Sequence, residues 1–175
     1  MLESNKLKKN QNDVKKVIDQ LSNNSRQTTF DIAKKCSFSR QKTWKIIRDL
    51  EKSKVIWGYS TIIDENNLGM NTYFALVKSK SSFLGVDNLI EKVKEKGAEK
   101  LNIKFKDIYY LNGLYDSIII FMAKDIRDAK RYCMFVEKTY GKYVDRIDLM
   151  ENIFPLIKDG TVNPNIDDIK KLIDI

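Results

Sequence analysis

Up to about residue 52 the apolar residues of this chain fall at helical spacing, and after residue 71 strand-like apolar runs alternate with helical stretches. That change of period divides the chain into two modules. Val14, Val17, Ile18 and Leu21 stand at i, i+3, i+4 and i+7 and make a first helix that ends in Ser22-Asn23-Asn24-Ser25. A lysine-rich leader, residues 1–10, precedes it. Thr28 sits three residues before Asp31, a capping pair for a short helix over 29–35 that turns Phe30, Ile32 and Ala33 toward a core. Cys36-Ser37-Phe38 make a tight connection, and Ser39 caps a third helix to Lys52 with Thr43, Ile47 and Leu50 inward. Two short helices joined by three residues, with the small Ala33 where they cross, follow the grammar of a helix-turn-helix. Val55 to Tyr59 and Ser60 to Ile63 read as a short wing and an exit strand.

The second module opens after a polar connector, residues 64–70. Asn71 to Lys78 is a strand, and Val86, Leu89, Ile90 and Val93 mark a helix to about Lys96. Ile108 to Leu111, a turn at Asn112-Gly113 and Tyr115 to Met122 form a hairpin. Ile126, Ala129, Cys133, Val136 and Tyr140 lie on one face of a second helix, and Val144 to Phe154 is a last strand. The order β-α-β-β-α-β is the ferredoxin-like plan. The fold class is therefore α+β: a winged helix-turn-helix over 1–63, a linker over 64–70, a ferredoxin-like effector and dimerisation domain over 71–155, and a tail over 156–175. In the tail, Ile166, Ile169, Leu172 and Ile173 suit a short helix opened by Asn165. Strands 73–77 and 118–121 are apolar on both faces. Two helices cover one face, and the other calls for the sheet of a second subunit or, failing that, the tail.

Charge follows the same division. The first 60 residues hold 14 Lys and Arg against 6 Asp and Glu, a balance of +8, whereas residues 61–175 hold 18 of each. A small basic module joined to a neutral one is the footprint of a nucleic-acid binder, or else of a solvated basic surface. The chain has no histidine, which removes His-based triads, imidazole metal sites and the commonest general base. Cys36 and Cys133 stand too far apart in sequence for a disulfide framework or a zinc ribbon. No apolar run reaches the roughly 18 residues of a membrane span, and the first residues lack a signal-peptide pattern. A cytoplasmic protein without catalytic residues, metal or cofactor is expected.

Residues 26–59 resemble the DNA-binding end of the Lrp/AsnC (feast/famine) transcription regulators of prokaryotes. The resemblance rests on Asp31-Ile32-Ala33-Lys34-Lys35, Ser39, Ile47-Arg48-Asp49-Leu50-Glu51 and Val55-Ile56-Trp57-Gly58-Tyr59. Ile62-Ile63-Asp64 and Leu68-Gly69 continue it, and Asn112-Gly113-Leu114-Tyr115-Asp116-Ser117 is similar to the Gly-x-Tyr-Asp turn of that family's regulatory domain. It covers about residues 11–155 and implies a winged helix-turn-helix followed by a ferredoxin-like effector domain. This chain departs from the family at Ser37 and Lys54, where many members have glycine, and at Ile46, where Arg is frequent. It departs again at Asn112, where members often carry Thr or Ser, and at Leu114, where the family residue is often acidic.

The third helix is the recognition element on this reading. Gln41 and Lys45 are the candidates for base edges, while Arg40, Lys42 and Arg48 suit phosphates. Thr28 and Ser39, each at a helix N-terminus, also lie within reach of phosphate oxygens. Trp44 packs on the wing or touches DNA. The resemblance further implies that an amino acid or related small molecule binds at subunit interfaces beside Asn112, Gly113, Leu114, Tyr115 and Asp116. There Gly113 allows a close backbone approach and Asp116 accepts from an ammonium group; the plainer alternative is a positive φ at Gly113 and a turn cap at Asp116. The expected partners are double-stranded DNA and a second copy of the chain, with tetramer and octamer left open. Two other readings share the architecture: an enzyme like the siroheme decarboxylases, which the absence of histidine disfavours, and a small-molecule sensor that does not bind DNA.

Overall fold

The computed structural model describes residues 2–80 and 102–173. It divides into two compact units, Met1–Ile62 with Asp159–Thr161 and Ile63–Lys158 with Val162–Ile175. The first unit holds α1 (Leu2–Asn23), α2 (Thr29–Cys36) and α3 (Arg40–Lys52). Helix α1 takes in the leader that the sequence set apart, because the Leu, Glu and Lys residues there favour helix and no Gly or Pro interrupts them. Val17, Ile32, Cys36, Ile46 and Leu50 form the core of the three helices. Ile46 lies deeper than the expected Ile47, since it stands three residues after Thr43 and four before Leu50, squarely on the inner face. Phe30 points outward and is 63% exposed, the opposite of its expected place. It lies two residues from Ile32, about 200° around the helix.

Buried Thr43 satisfies its hydroxyl by donating to the Ser39 carbonyl oxygen at 3.2 Å. Ser37, with φ 58° and ψ 43°, ends α2 in the left-handed region, and Lys54 follows α3 at φ 60°. Both positions form without glycine, at a cost of about 1 kcal/mol each for a residue with a Cβ. Ser37→Gly and Lys54→Gly are each expected to raise the stability of the first unit by about 0.5–1 kcal/mol, readable in thermal unfolding. The wing and exit strand expected over 55–63 do not form, and residues 54–64 carry no strand. The Val55 and Ile56 N–H groups instead donate back to the Leu50 carbonyl oxygen at 3.0 and 3.2 Å. A strand needs a neighbour to pair with, and this segment has none among the described residues.

The second unit is built on β1 (Asn71–Ser79), β2 (Ile103–Tyr110), β3 (Ser117–Ala123) and β4 (Val144–Glu151), with α4 (Ile126–Tyr140) between the last two. The strands pair antiparallel in the order β2-β3-β1-β4, the ferredoxin-like arrangement. The helix expected over 86–96 lies outside the described residues. Tyr73, Ala75, Val77, Ile119, Phe121 and Ala123 face α4, which buries Ala129, Tyr132 and Val136 against them. Ile126, expected on that inner face, is exposed, and Tyr132 takes its share of the burial. Phe121 lies 4.9 Å from Tyr132 and 5.8 Å from Tyr73, ring centre to ring centre, so three aromatic rings fill the centre. Residues one position along each strand point to the opposite face: Phe74, Leu76, Ile118 and Ile120 are half-buried there, and Met150 is exposed.

Two features lie outside the expected plan. The tail folds first as a hairpin, β5 (Ile157–Lys158) and β6 (Thr161–Val162), around Asp159 and Gly160, both at positive φ as a two-residue turn requires. After it, where the short helix opened by Asn165 is expected, stand a 3-10 turn over Ile166–Ile169 and a short helix, α5 (Lys170–Ile173). The connector forms a 3-10 turn, Glu65–Leu68, whose first residue is 4% exposed. Lys106 Nζ donates to Glu65 Oε1 at 2.5 Å, and Lys158 Nζ donates to Oε2 and, at 2.9 Å, to the Ile63 carbonyl oxygen. Burial pushes the Glu65 carboxyl up, but the hydrogen bonds from the two lysines outweigh it and bring the pKa to about 2.

The folded pKa thus lies below the unfolded value of about 4.5. The ionised clasp therefore stabilises fully above that value and loses its contribution as pH falls toward 2. Glu65→Gln is expected to remove on the order of 2–3 kcal/mol near neutral pH and lower the melting temperature of the second unit by about 9–13 °C. The gap between variant and wild type should close as the scan is repeated from pH 5 down to about 2. A gap that stays constant with pH would mean that the ion pairs are not its source.

Candidate nucleic-acid interface

The face of α3 opposite Thr43, Ile46 and Leu50 carries Arg40, Gln41, Trp44, Lys45 and Arg48, all exposed. Gln41, Trp44, Lys45 and Arg48 stand at i, i+3, i+4 and i+7 and form one stripe along the helix. The Ser39 hydroxyl oxygen accepts the Lys42 N–H at 3.1 Å, which fixes where α3 begins and hence which residues face out. Ser39 and its neighbours Arg40 and Gln41 thus stand at the exposed N-terminal end of the helix.

Two of the candidates are engaged within the fold. Lys42 bridges to Asp13 Oδ2 at 2.6 Å and lies over the Phe38 ring at 4.0 Å, so it ties α3 to α1. The Thr28 hydroxyl accepts the Asp31 N–H at 3.2 Å and donates to Asp31 Oδ2 at 2.6 Å, and the Thr28 N–H donates to the same oxygen. These bonds hold the Asp31 carboxyl below the usual carboxylate range. This is a capping box, and its job is to start α2. Arg48 lies over the Trp44 indole, Cζ 5.0 Å from the ring centre. Beyond the helix, Tyr59 donates its hydroxyl to Glu51 Oε1 at 2.9 Å, and Trp57 is 94% exposed.

The second candidate site is the loop between β2 and β3. Asn112, Gly113 and Leu114 are exposed, Leu114 at 72%. Gly113 has no positive φ, and a Cβ built on it meets nothing within 4 Å. The fold of one chain therefore places no demand for glycine there. Asp116 Oδ2 accepts the Ser79 N–H at 2.6 Å, the Asp116 N–H donates to the Val77 carbonyl oxygen, and its own carbonyl oxygen accepts from Leu111. Asp116 thus locks the loop onto the end of β1, while Lys78 Nζ donates to the Leu114 carbonyl oxygen at 2.6 Å. Tyr115 donates to Asp148 Oδ2 at 2.5 Å, and Arg146 Nε donates to the other Asp148 oxygen at 2.8 Å. These bonds hold the Asp148 carboxyl low and push the Tyr115 hydroxyl up. The register of β4 against β1 brings Asp148 and Arg146 to this loop, and nothing local in the sequence signals it.

Residues 14–56 match a family model for winged helix-turn-helix DNA-binding domains. Against solved structures the likeness runs through both units. The crystal structure of PH0061 is 23% identical, covering 82% of this chain and 92% of that one at a TM-score of 0.69. An AsnC family transcriptional regulator from Agrobacterium tumefaciens is 17% identical, with coverage of 89% and 96% at 0.65. The chain has the fold of the Lrp/AsnC regulators. A third structure of that fold is a transcriptional regulator from Neisseria meningitidis, NMB0573, in complex with L-Met, 12% identical over 87% of this chain and 95% of that one at 0.66. No curated protein matches the sequence. Among the described residues no group of His, Cys, Asp and Glu is placed to hold a metal ion, and no helix is long and apolar enough to cross a membrane.

Proposed function

We propose that this chain is a sequence-specific transcription regulator that binds duplex DNA through α3 and acts as a dimer or a higher assembly. The observation that carries the reading is the exposed stripe of α3. Arg40, Gln41, Lys45 and Arg48 stand outward on a helix whose other face is fully committed to the core of the three-helix unit. Gln41 and Lys45 reach base edges in the major groove, and Arg40 and Arg48 hold phosphates with Ser39 at the helix N-terminus. Lys42 and Thr28 support this face by fixing α3 and α2 and contribute less to the contact itself.

The sheet supports the dimer. Its face away from α4 is apolar along both central strands, and the sheet of a second copy is the simplest cover. Two recognition helices related by a two-fold axis then enter successive major grooves, about 34 Å apart. An amino acid or related small molecule is the effector class on this reading, bound beside Asn112, Gly113 and Leu114 at a subunit interface. The unneeded glycine supports it, because open space at Gly113 serves an approach from outside the chain. The L-Met complex of the Neisseria regulator favours the same class of ligand.

The test is fluorescence anisotropy with duplex DNA from upstream of the chain's own gene and a scrambled duplex, across a salt series. A clear preference for the native fragment supports a specific regulator. A steep salt slope without preference points to a non-specific basic binder. No binding to either duplex overturns the reading.

A further inference from the structure

We infer that Trp44 reads the C5-methyl group of a thymine in the major groove. This deepens the regulator reading and rests on it. Trp44 occupies the middle of the α3 stripe, between Gln41 and Arg48 and beside Lys45, and is 51% exposed. An indole left half in water on a surface otherwise built of cations and an amide lies outside the buried face of α3, which Thr43, Ile46 and Leu50 form. The cations around it select a polyanion as the partner, and Glu51, about two turns further along, is held by the Tyr59 hydroxyl.

The chemistry of the ring narrows the contact further. Indole is apolar apart from one N–H donor, so most of its surface finds no match in phosphate oxygens. Among the features the major groove presents, the thymine methyl is the apolar one. Arg48 lies over the ring and holds it in one orientation, which lowers the ordering cost when the helix docks. A basic stripe with an apolar centre thus combines affinity for any duplex with a preference for thymine at one position in each half-site.

The experiment selects duplexes from a random library with the full chain and then replaces each thymine of the selected site by deoxyuridine, which removes only the methyl group. At one position per half-site, deoxyuridine should weaken wild-type binding about fourfold, the effect of one buried methyl-sized group. Trp44→Ala should bind more weakly overall, show no response to deoxyuridine at that position and keep the wild-type salt slope. Trp44→Phe, which keeps an apolar ring, should retain the response, and both variants should unfold like wild type. A flat scan with wild type overturns the inference while leaving the regulator reading intact. So does a deoxyuridine response that survives in Trp44→Ala, which would assign the methyl contact to another residue. Failure to select any duplex overturns both readings.

Discussion

Replacing Lys45 with glutamate is expected to weaken duplex binding at least 100-fold while leaving the fold intact. Lys45 is exposed on the second turn of α3, within the stripe that faces away from the core. The substitution removes a donor to a base edge, worth about 1–3 kcal/mol of discrimination, and puts a carboxylate among the phosphates. A dimer suffers the change twice, which multiplies the loss. Surface substitutions of this kind shift stability by no more than about 0.5 kcal/mol, so thermal unfolding should be unchanged. Lys130→Glu, on the exposed side of α4, makes the same change of charge in the other unit and serves as the control. Anisotropy near physiological salt decides between them. Equal weakening by both variants would mean that net charge, rather than the α3 face, governs binding. Wild-type affinity in Lys45→Glu would overturn the assignment of α3.

Much of this architecture is legible in the sequence because the governing patterns are local. The spacing of Val14, Val17, Ile18 and Leu21, the Thr28–Asp31 capping pair and the Ser39 cap each act within one or two turns of helix, and each stands where the spacing puts it. The same locality explains the errors. Phe30 was expected inside because it is apolar, but the helical period turns it out. Ile46 and Ile47 differ by one position, and the spacing of three from Thr43 and four to Leu50 centres the buried stripe on the first. Glu65 gives no local sign of burial, since its partners lie 41 and 93 residues away. The Tyr115–Asp148–Arg146 group depends in the same way on strand register. The wing segment fails for a different reason: Val55 to Ile63 has the composition of a strand, but strand formation requires a partner edge, and composition cannot supply one.

The alternation along β3 separates two substitutions one residue apart by their consequences. Ile119 faces α4 and is buried; Ile120 faces the other way, beside Phe74 of β1, and is half-buried in the single chain. Ile119→Lys should unfold the second unit, because a lysine in the aromatic core has neither water nor a counter-charge there. Ile120→Lys should leave a folded monomer, because there the long side chain can carry its ammonium to the solvent. When two sheets face one another that route closes, and the two-fold axis places two such lysines in one apolar layer. Desolvating two unpaired charges costs several kcal/mol, enough to weaken association about 1000-fold or more. Light scattering at micromolar concentration should therefore report a dimer or larger species for wild type and a monomer for Ile120→Lys, with near-native circular dichroism. Duplex affinity should fall with it, since a monomer engages one half-site at a time. An assembly that survives Ile120→Lys unchanged would move the subunit interface away from this face of the sheet.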